Sequence, residues 1–122
     1  MKKERILVVD DDEHQGLLYE QELTDEGYLV DIVTSGYQAL EKVKENMYDL
    51  VILDIGMPDM NGLETLGRML SMDNKLPVIL NTAYPSYKDN FMSWAADAYV
   101  VKSSDLTELK SKIKESLTRK NT

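Results

Sequence analysis

Short, wholly apolar runs alternate along this chain with longer amphipathic stretches. Ile6-Leu7-Val8-Val9 and Leu50-Val51-Ile52-Leu53 contain no polar residue. Branched apolar runs of that length read as strands covered on both faces, the signature of a parallel sheet. Five such segments are predicted, at 5–9, 28–33, 50–53, 78–81 and 98–101. Helices are predicted at 13–26, 36–47, 63–71, 87–94 and 105–117. Ala39, Leu40, Val43 and Met47 form one helical stripe, Leu63, Leu66 and Leu70 a second, and Leu106, Leu109, Ile113 and Leu117 a third. The first helix has the weakest stripe, with Leu17, Leu18 and Leu23 as its candidates.

Punctuation residues agree with this division. Gly27 is placed to end the first helix in a left-handed cap, and Asp12 stands where the turn into that helix needs an N-cap. Asp105 and Glu108 have capping-box spacing. Strict strand–helix alternation implies right-handed crossovers and a sheet covered on both sides. The expected fold is a three-layer α/β domain built on a five-stranded parallel sheet.

Composition narrows the function. The 122 residues suit one domain spanning 1–122, with a short polar tail at 118–122 after the last helix. Hydrophobic residues make up 43% and charged residues 30%, a globular balance. No apolar run approaches the roughly 18 residues of a membrane span, and Met-Lys-Lys-Glu-Arg leads straight into the first strand, leaving no signal-peptide core. A cytoplasmic location without membrane partners is therefore expected. The lack of cysteine excludes disulfides, zinc–thiolate sites and thiol catalysis. A net charge of −8 argues against direct nucleic-acid binding, which relies on Lys and Arg to neutralise phosphates. Much of that charge is ordinary solvated helix surface.

The chemistry-bearing residues lie just past the strands. The first strand is followed by Asp10 and Asp11, the third by Asp54, the fourth by Thr82 and the fifth by Lys102. In parallel sheets, ligands bind in the crevice beyond these carboxyl ends. Two carboxylates about 4–5 Å apart repel by roughly 3–4 kcal/mol at an effective dielectric near 20. A hard divalent cation relieves that repulsion: magnesium, with manganese as an alternative occupant. Thr82 and Lys102 are donors for an anionic group, and an aspartate can attack phosphorus to form an acyl phosphate. No catalytic triad is present, and the lone histidine, His14, falls on a helix start.

These residues, with Met57-Pro-Asp-Met-Asn-Gly62, Thr82-Ala83 and Tyr99-Val-Val-Lys102, resemble the receiver domain of two-component response regulators over nearly the whole chain. The resemblance implies a flavodoxin-like, doubly wound sheet of order 2-1-3-4-5 with five helices. It implies that Asp54 accepts a phosphoryl group from a histidine kinase or phosphotransfer protein. Asp11 would bind magnesium directly and Asp10 mainly through water, with the Gly56 carbonyl as a further ligand. Thr82 and Lys102 would hold the phosphoryl oxygens. Tyr99 would be the switch aromatic on an output face made by the fourth helix, fifth strand and fifth helix, where a downstream protein docks. Such a domain catalyses only its own phosphorylation and dephosphorylation, so its role is signalling.

Two departures from the family pattern stand out. Ser103 follows Lys102 where the family has a proline after a cis peptide bond, and both cis and trans geometries are open here. Tyr84, followed by Pro85, is expected to shield an acyl phosphate that Gly56 leaves open on the other side. Pro58 and Gly62 read as turn formers. Phe91 and Trp94 suit either core packing or a partner surface, and the seven methionines read as core filling. No effector fits in the five residues after the fifth helix, so a stand-alone receiver acting through protein contacts is expected, with a fragment of a longer chain as the alternative. Two other functions compete. An aspartate-nucleophile magnesium phosphatase would want an acid/base carboxylate where Gly56 stands. An unphosphorylated receiver-like interaction module would bind no magnesium. Flavin binding fits less well, because the acids at the first strand end repel phosphate.

Overall fold

The computed structural model describes residues 3–57, 60–83 and 91–120. Pro58, Tyr84, Pro85 and the first four residues of the predicted fourth helix lie outside these. Strands β1 (Arg5–Val9), β2 (Leu29–Val33), β3 (Leu50–Leu53), β4 (Val78–Thr82) and β5 (Ala98–Val101) form one parallel sheet in the order β2-β1-β3-β4-β5. Val9 lies level with Val33 on one side and Leu53 on the other. This register brings the ends of β1 and β3 side by side. The arrangement is the expected doubly wound topology.

Side-chain alternation along each strand divides the core into two layers. Leu7, Val9, Val51, Leu53, Val78 and Leu80 pack toward α2 (Gly36–Glu45) and α3 (Gly62–Met72). Ile6, Val8, Leu50, Ile52 and Ile79 pack on the opposite face, toward α1 (Glu13–Asp25) and α4 (Thr107–Lys120). Leu106, Leu109, Ile113 and Leu117 are all buried there, as their spacing predicts. A Lys110–Glu22 ion pair at 3.0 Å ties α4 to α1 at the surface.

The caps hold. Asp12 accepts hydrogen bonds from the amides of His14 and Gln15, and Gly27 takes φ +100. Before α4, Asp105 accepts from the Thr107 amide at 2.9 Å. Its own amide donates to Ser103 Oγ and α4 begins only at Thr107, so the cap observed is not the expected Asp105–Glu108 pair. At the far edge of the sheet, Asp31 holds Arg5 at 3.2 Å and accepts from the Tyr48 hydroxyl at 2.6 Å.

The helix count requires correction. Among the described residues there are four α-helices rather than five, and residues Phe91–Ala95 form a 3-10 turn where the predicted fourth helix was to end. The Ala96 amide closes this turn on the Ser93 carbonyl, and the Asp97 amide is then taken by the Val78 carbonyl at 2.8 Å. The chain must enter β5 at once, which leaves no room for another α-helical turn. The predicted fifth helix is α4, running from Thr107 to Lys120 rather than over 105–117.

Two stripes also differ from expectation. Leu17 and Leu18 face solvent, and the buried face of α1 is Gly16, Tyr19 and Leu23, at i, i+3 and i+7. Met47 lies beyond the end of α2 and is 89% exposed. Met57, Met60 and Met69 fill the core, whereas Met72 is exposed. Trp94 is 73% exposed, so it serves a surface rather than the core. The placement of the Phe91 side chain lies outside the description.

Candidate functional site

The alternation that builds the core also positions the site. Asp10 continues the Ile6–Val8 face of β1, and Asp54 continues the Leu50–Ile52 face of β3. Both carboxylates therefore project on the α1/α4 side of the same edge. Both are buried, Asp10 at 2% and Asp54 at 6% exposure, while Asp11 lies open to solvent. One carboxylate oxygen from each of Asp10, Asp11 and Asp54 lies within 4.8 Å of the others.

Lys102 follows β5 and reaches back across the edge. Its amide is anchored to the Thr82 carbonyl at 2.8 Å. Its Nζ lies 2.8 Å from Asp10 Oδ2 and 3.2 Å from Asp54 Oδ2. No peptide bond among the described residues is cis, so the Lys102–Ser103 link is trans, and the lysine still reaches both acids. Asp54 Oδ1 accepts from the Gly56 amide at 3.2 Å, and Asp10 Oδ1 accepts from the Asp12 amide at 2.9 Å.

Electrostatics expose a shortage of positive charge. Burial pushes the Asp10 carboxyl above its ordinary pKa, and nearby Asp54 adds to that push. Lys102 and the Asp12 amide offset the effect only in part. Burial pulls the Lys102 ammonium down, but its bonds to Asp10 and Asp54 outweigh burial and hold it above the usual lysine value. Three carboxylates cluster where the one ammonium, Lys102, pairs with two of them, which leaves room for a dication. An all-oxygen donor set with one solvent-open member fits magnesium, which keeps several waters and takes few carboxylates.

The metal-free protein should respond to a change at Asp10. Asp10→Asn removes a carboxylate whose ionised form the fold disfavours, and Lys102 keeps Asp54 as its partner. The variant should gain on the order of 1 kcal/mol at pH 7, the usual size of a single-site effect, while binding magnesium more weakly. Because the folded-state pKa of Asp10 is raised, its ionisation costs stability as pH rises through that value. The gain should therefore shrink on acidification. Urea titrations at several pH values without magnesium check this.

Thr82 is fully buried at the end of β4. Alternation with Val78 and Leu80 sets it on the α2/α3 face of the sheet. Tyr99, half-buried, packs against the core layer on that face. These two therefore share a side of the sheet, whereas Lys102 and the three acids gather at its edge. His14 is exposed and takes no part in this cluster.

Two polar residues near the site were not anticipated from the sequence. Tyr19 on α1 and Asn81 on β4 are both buried on the α1/α4 face, beneath the acids. The available signal was an asparagine inside an otherwise apolar strand.

Comparison with known proteins agrees with this architecture. The profile of the response regulator receiver domain matches residues 6–114. The response regulator ArlR of Staphylococcus saprophyticus is 38% identical over 117 residues, which is 94% of this chain and 53% of ArlR. The crystal structure of response regulator protein TrrA from Thermotoga maritima, in complex with Mg2+-BeF, superposes with a TM-score of 0.91. It is 47% identical and covers 93% of this chain and 98% of that one. TrrA also matches in the crystal structure of its complex with histidine kinase ThkA, with a TM-score of 0.89, 47% identity and the same coverage. The chain belongs to the response regulator receiver domain family, a family of signalling domains. It spans about half the length of the ArlR relative that it matches. Among the described residues, no helix is long and apolar enough to cross a membrane.

Proposed function

We propose that residues 1–122 act as one receiver domain that accepts a phosphoryl group on Asp54 from a phosphohistidine donor. The observation that carries this reading is the approach of Asp10, Asp11 and Asp54 to within 4.8 Å with Lys102 bridging two of them. In the transfer, an Asp54 carboxylate oxygen attacks phosphorus as the phosphorus–nitrogen bond of the donor breaks and the imidazole leaves. The product is an acyl phosphate. Lys102 faces the added negative charge as a point cation, and Thr82 donates its hydroxyl to a phosphoryl oxygen. Asp10, Asp11, Asp54 and the Gly56 carbonyl would hold magnesium or manganese. When bound, that ion screens the incoming phosphoryl group from the acids.

TrrA's complexes with Mg2+-BeF and with histidine kinase ThkA support a magnesium-dependent exchange with a histidine kinase. Gly56, where a phosphatase would want a carboxylate, supports signalling over turnover. Modification is read out as a shift between two conformations. Tyr99, on the same sheet face as Thr82, turns inward as Thr82 is drawn to the phosphoryl group. The changed surface comprises the 91–95 turn, β5 and α4, and exposed Trp94 supports its use as a protein-docking face. The acidic balance supports protein rather than nucleic-acid partners, and a cysteine-free chain suits the reducing cytoplasm. Acetyl phosphate with magnesium should place one acid-labile phosphoryl group on each molecule, and EDTA should prevent it. Incorporation that is indifferent to EDTA would contradict the proposal.

A further inference from the structure

Beneath the acid cluster lies a polar group that the proposed exchange does not use. Tyr19 projects from the buried face of α1 and is only 1% exposed. Among the described residues its hydroxyl has no hydrogen-bond partner. Leaving such a group unsatisfied costs about 1–3 kcal/mol, so its presence in the core calls for an explanation. The Asn81 side chain adjoins the hydroxyl without closing a bond of good geometry. Lys102, Asp10 and Asp54 lie near enough for their charges to act on it, and burial itself pushes the phenol above its ordinary pKa. Asp10, Asp54, Asn81 and Lys102 continue the sheet face on which Tyr19 packs, so the unpartnered phenol and the acid cluster share the α1/α4 side of the sheet.

Lys102 has three N–H donors, and the structure places two of them on Asp10 and Asp54. A dication entering among the three acids competes with Lys102 for Asp10 Oδ2. The Lys102 side chain is only 18% exposed where it stands, so an ammonium displaced from Asp10 gains from another acceptor close by. A phenol can accept from an ammonium while donating its own proton to an amide oxygen. We infer that Tyr19 is a positioning residue: its hydroxyl, steadied by Asn81, takes the Lys102 ammonium when a cation occupies the acid cluster. The inference rests on the proposed magnesium site and adds the residue that lets Lys102 yield to the ion.

The test is urea unfolding of the full chain and of Tyr19→Phe across a series of magnesium chloride concentrations, with calcium-free buffer and EDTA as the zero point. Phenylalanine keeps the ring and its packing. The metal-free variant should be at least as stable as the parent, because an unsatisfied hydroxyl is gone. It should need about tenfold more magnesium to reach the same gain in stability as the parent, the scale expected for losing one hydrogen bond to a charged group. A stability gain that follows the parent's at every magnesium concentration would overturn the inference. So would a variant that is less stable without metal but equally responsive to it, because that marks a purely structural phenol. A parent that magnesium fails to stabilise would instead remove the metal site on which both readings stand.

Discussion

Asp54→Asn should incorporate no acid-labile phosphate from acetyl phosphate or from a phosphorylated histidine kinase, where the parent should take up one group per molecule. The amide is no nucleophile toward phosphorus, and the buried position of Asp54 at the end of β3 leaves no equivalent oxygen in its place. Asp10 is the nearest rival, but it is bound by Lys102 at 2.8 Å and by the Asp12 amide at 2.9 Å. The fold should survive the change. An asparagine oxygen can still accept from the Gly56 amide, and Lys102 keeps Asp10. Stability should stay within about 1 kcal/mol of the parent, so lost incorporation would not reflect unfolding. Filter-binding or intact-mass measurements decide the point, and parental incorporation by Asp54→Asn would move the acceptor elsewhere.

Gly62→Ala should be severely damaging for a single added methyl. Gly62 opens α3, and its amide donates to the Ile55 carbonyl at 2.8 Å, folding the loop after Asp54 back onto the end of β3. A Cβ there would strike the Asp54 carbonyl oxygen and would stand 2.5 Å from Ile55 Cα and 2.9 Å from the Asp54 carbonyl carbon. All of these are backbone atoms, so no rotamer change relieves the clash. A cost of about 3 kcal/mol is expected, a large share of the 5–15 kcal/mol typical of a domain. Thermal unfolding should fall by roughly 10 °C or more. The same movement would displace Asp54, so magnesium affinity should drop as well. A melting temperature within about 2 °C of the parent would show that the loop yields more readily than this packing implies.

The buried strands were legible because their runs had no competing period. Ile6–Val9 and Leu50–Leu53 could hardly be anything else, and the strand ends then dictated where Asp10, Asp54 and Lys102 would meet. The capping roles of Asp12 and Gly27 followed equally from local chemistry. What escaped depended on tertiary geometry. The 91–95 segment holds helix-compatible residues, yet its length is set by the Asp97 amide finding the Val78 carbonyl. Leu17 and Leu18 read as core by hydropathy, although the buried face of α1 is built from Gly16 and Tyr19 as well as Leu23. Tyr19 shows the limit most clearly. A tyrosine in a weak stripe gives no hint that its hydroxyl lies beneath the acids, since that depends on how α1 crosses β1. The trans Lys102–Ser103 link likewise was not legible, because the reach of the lysine to both acids depends on the path of the loop.

Clustered carboxylates at one sheet edge should make Asp54, and no other residue, the phosphoryl acceptor. The most direct test is to treat the protein with acetyl phosphate and magnesium, reduce it with borohydride, and locate the modified residue by peptide mass spectrometry. Reduction of an acyl phosphate converts the acceptor aspartate to homoserine. Homoserine at position 54 alone is the expected result. Homoserine at position 10 or 11, or an unmodified position 54 in protein that has taken up phosphate, would contradict the account.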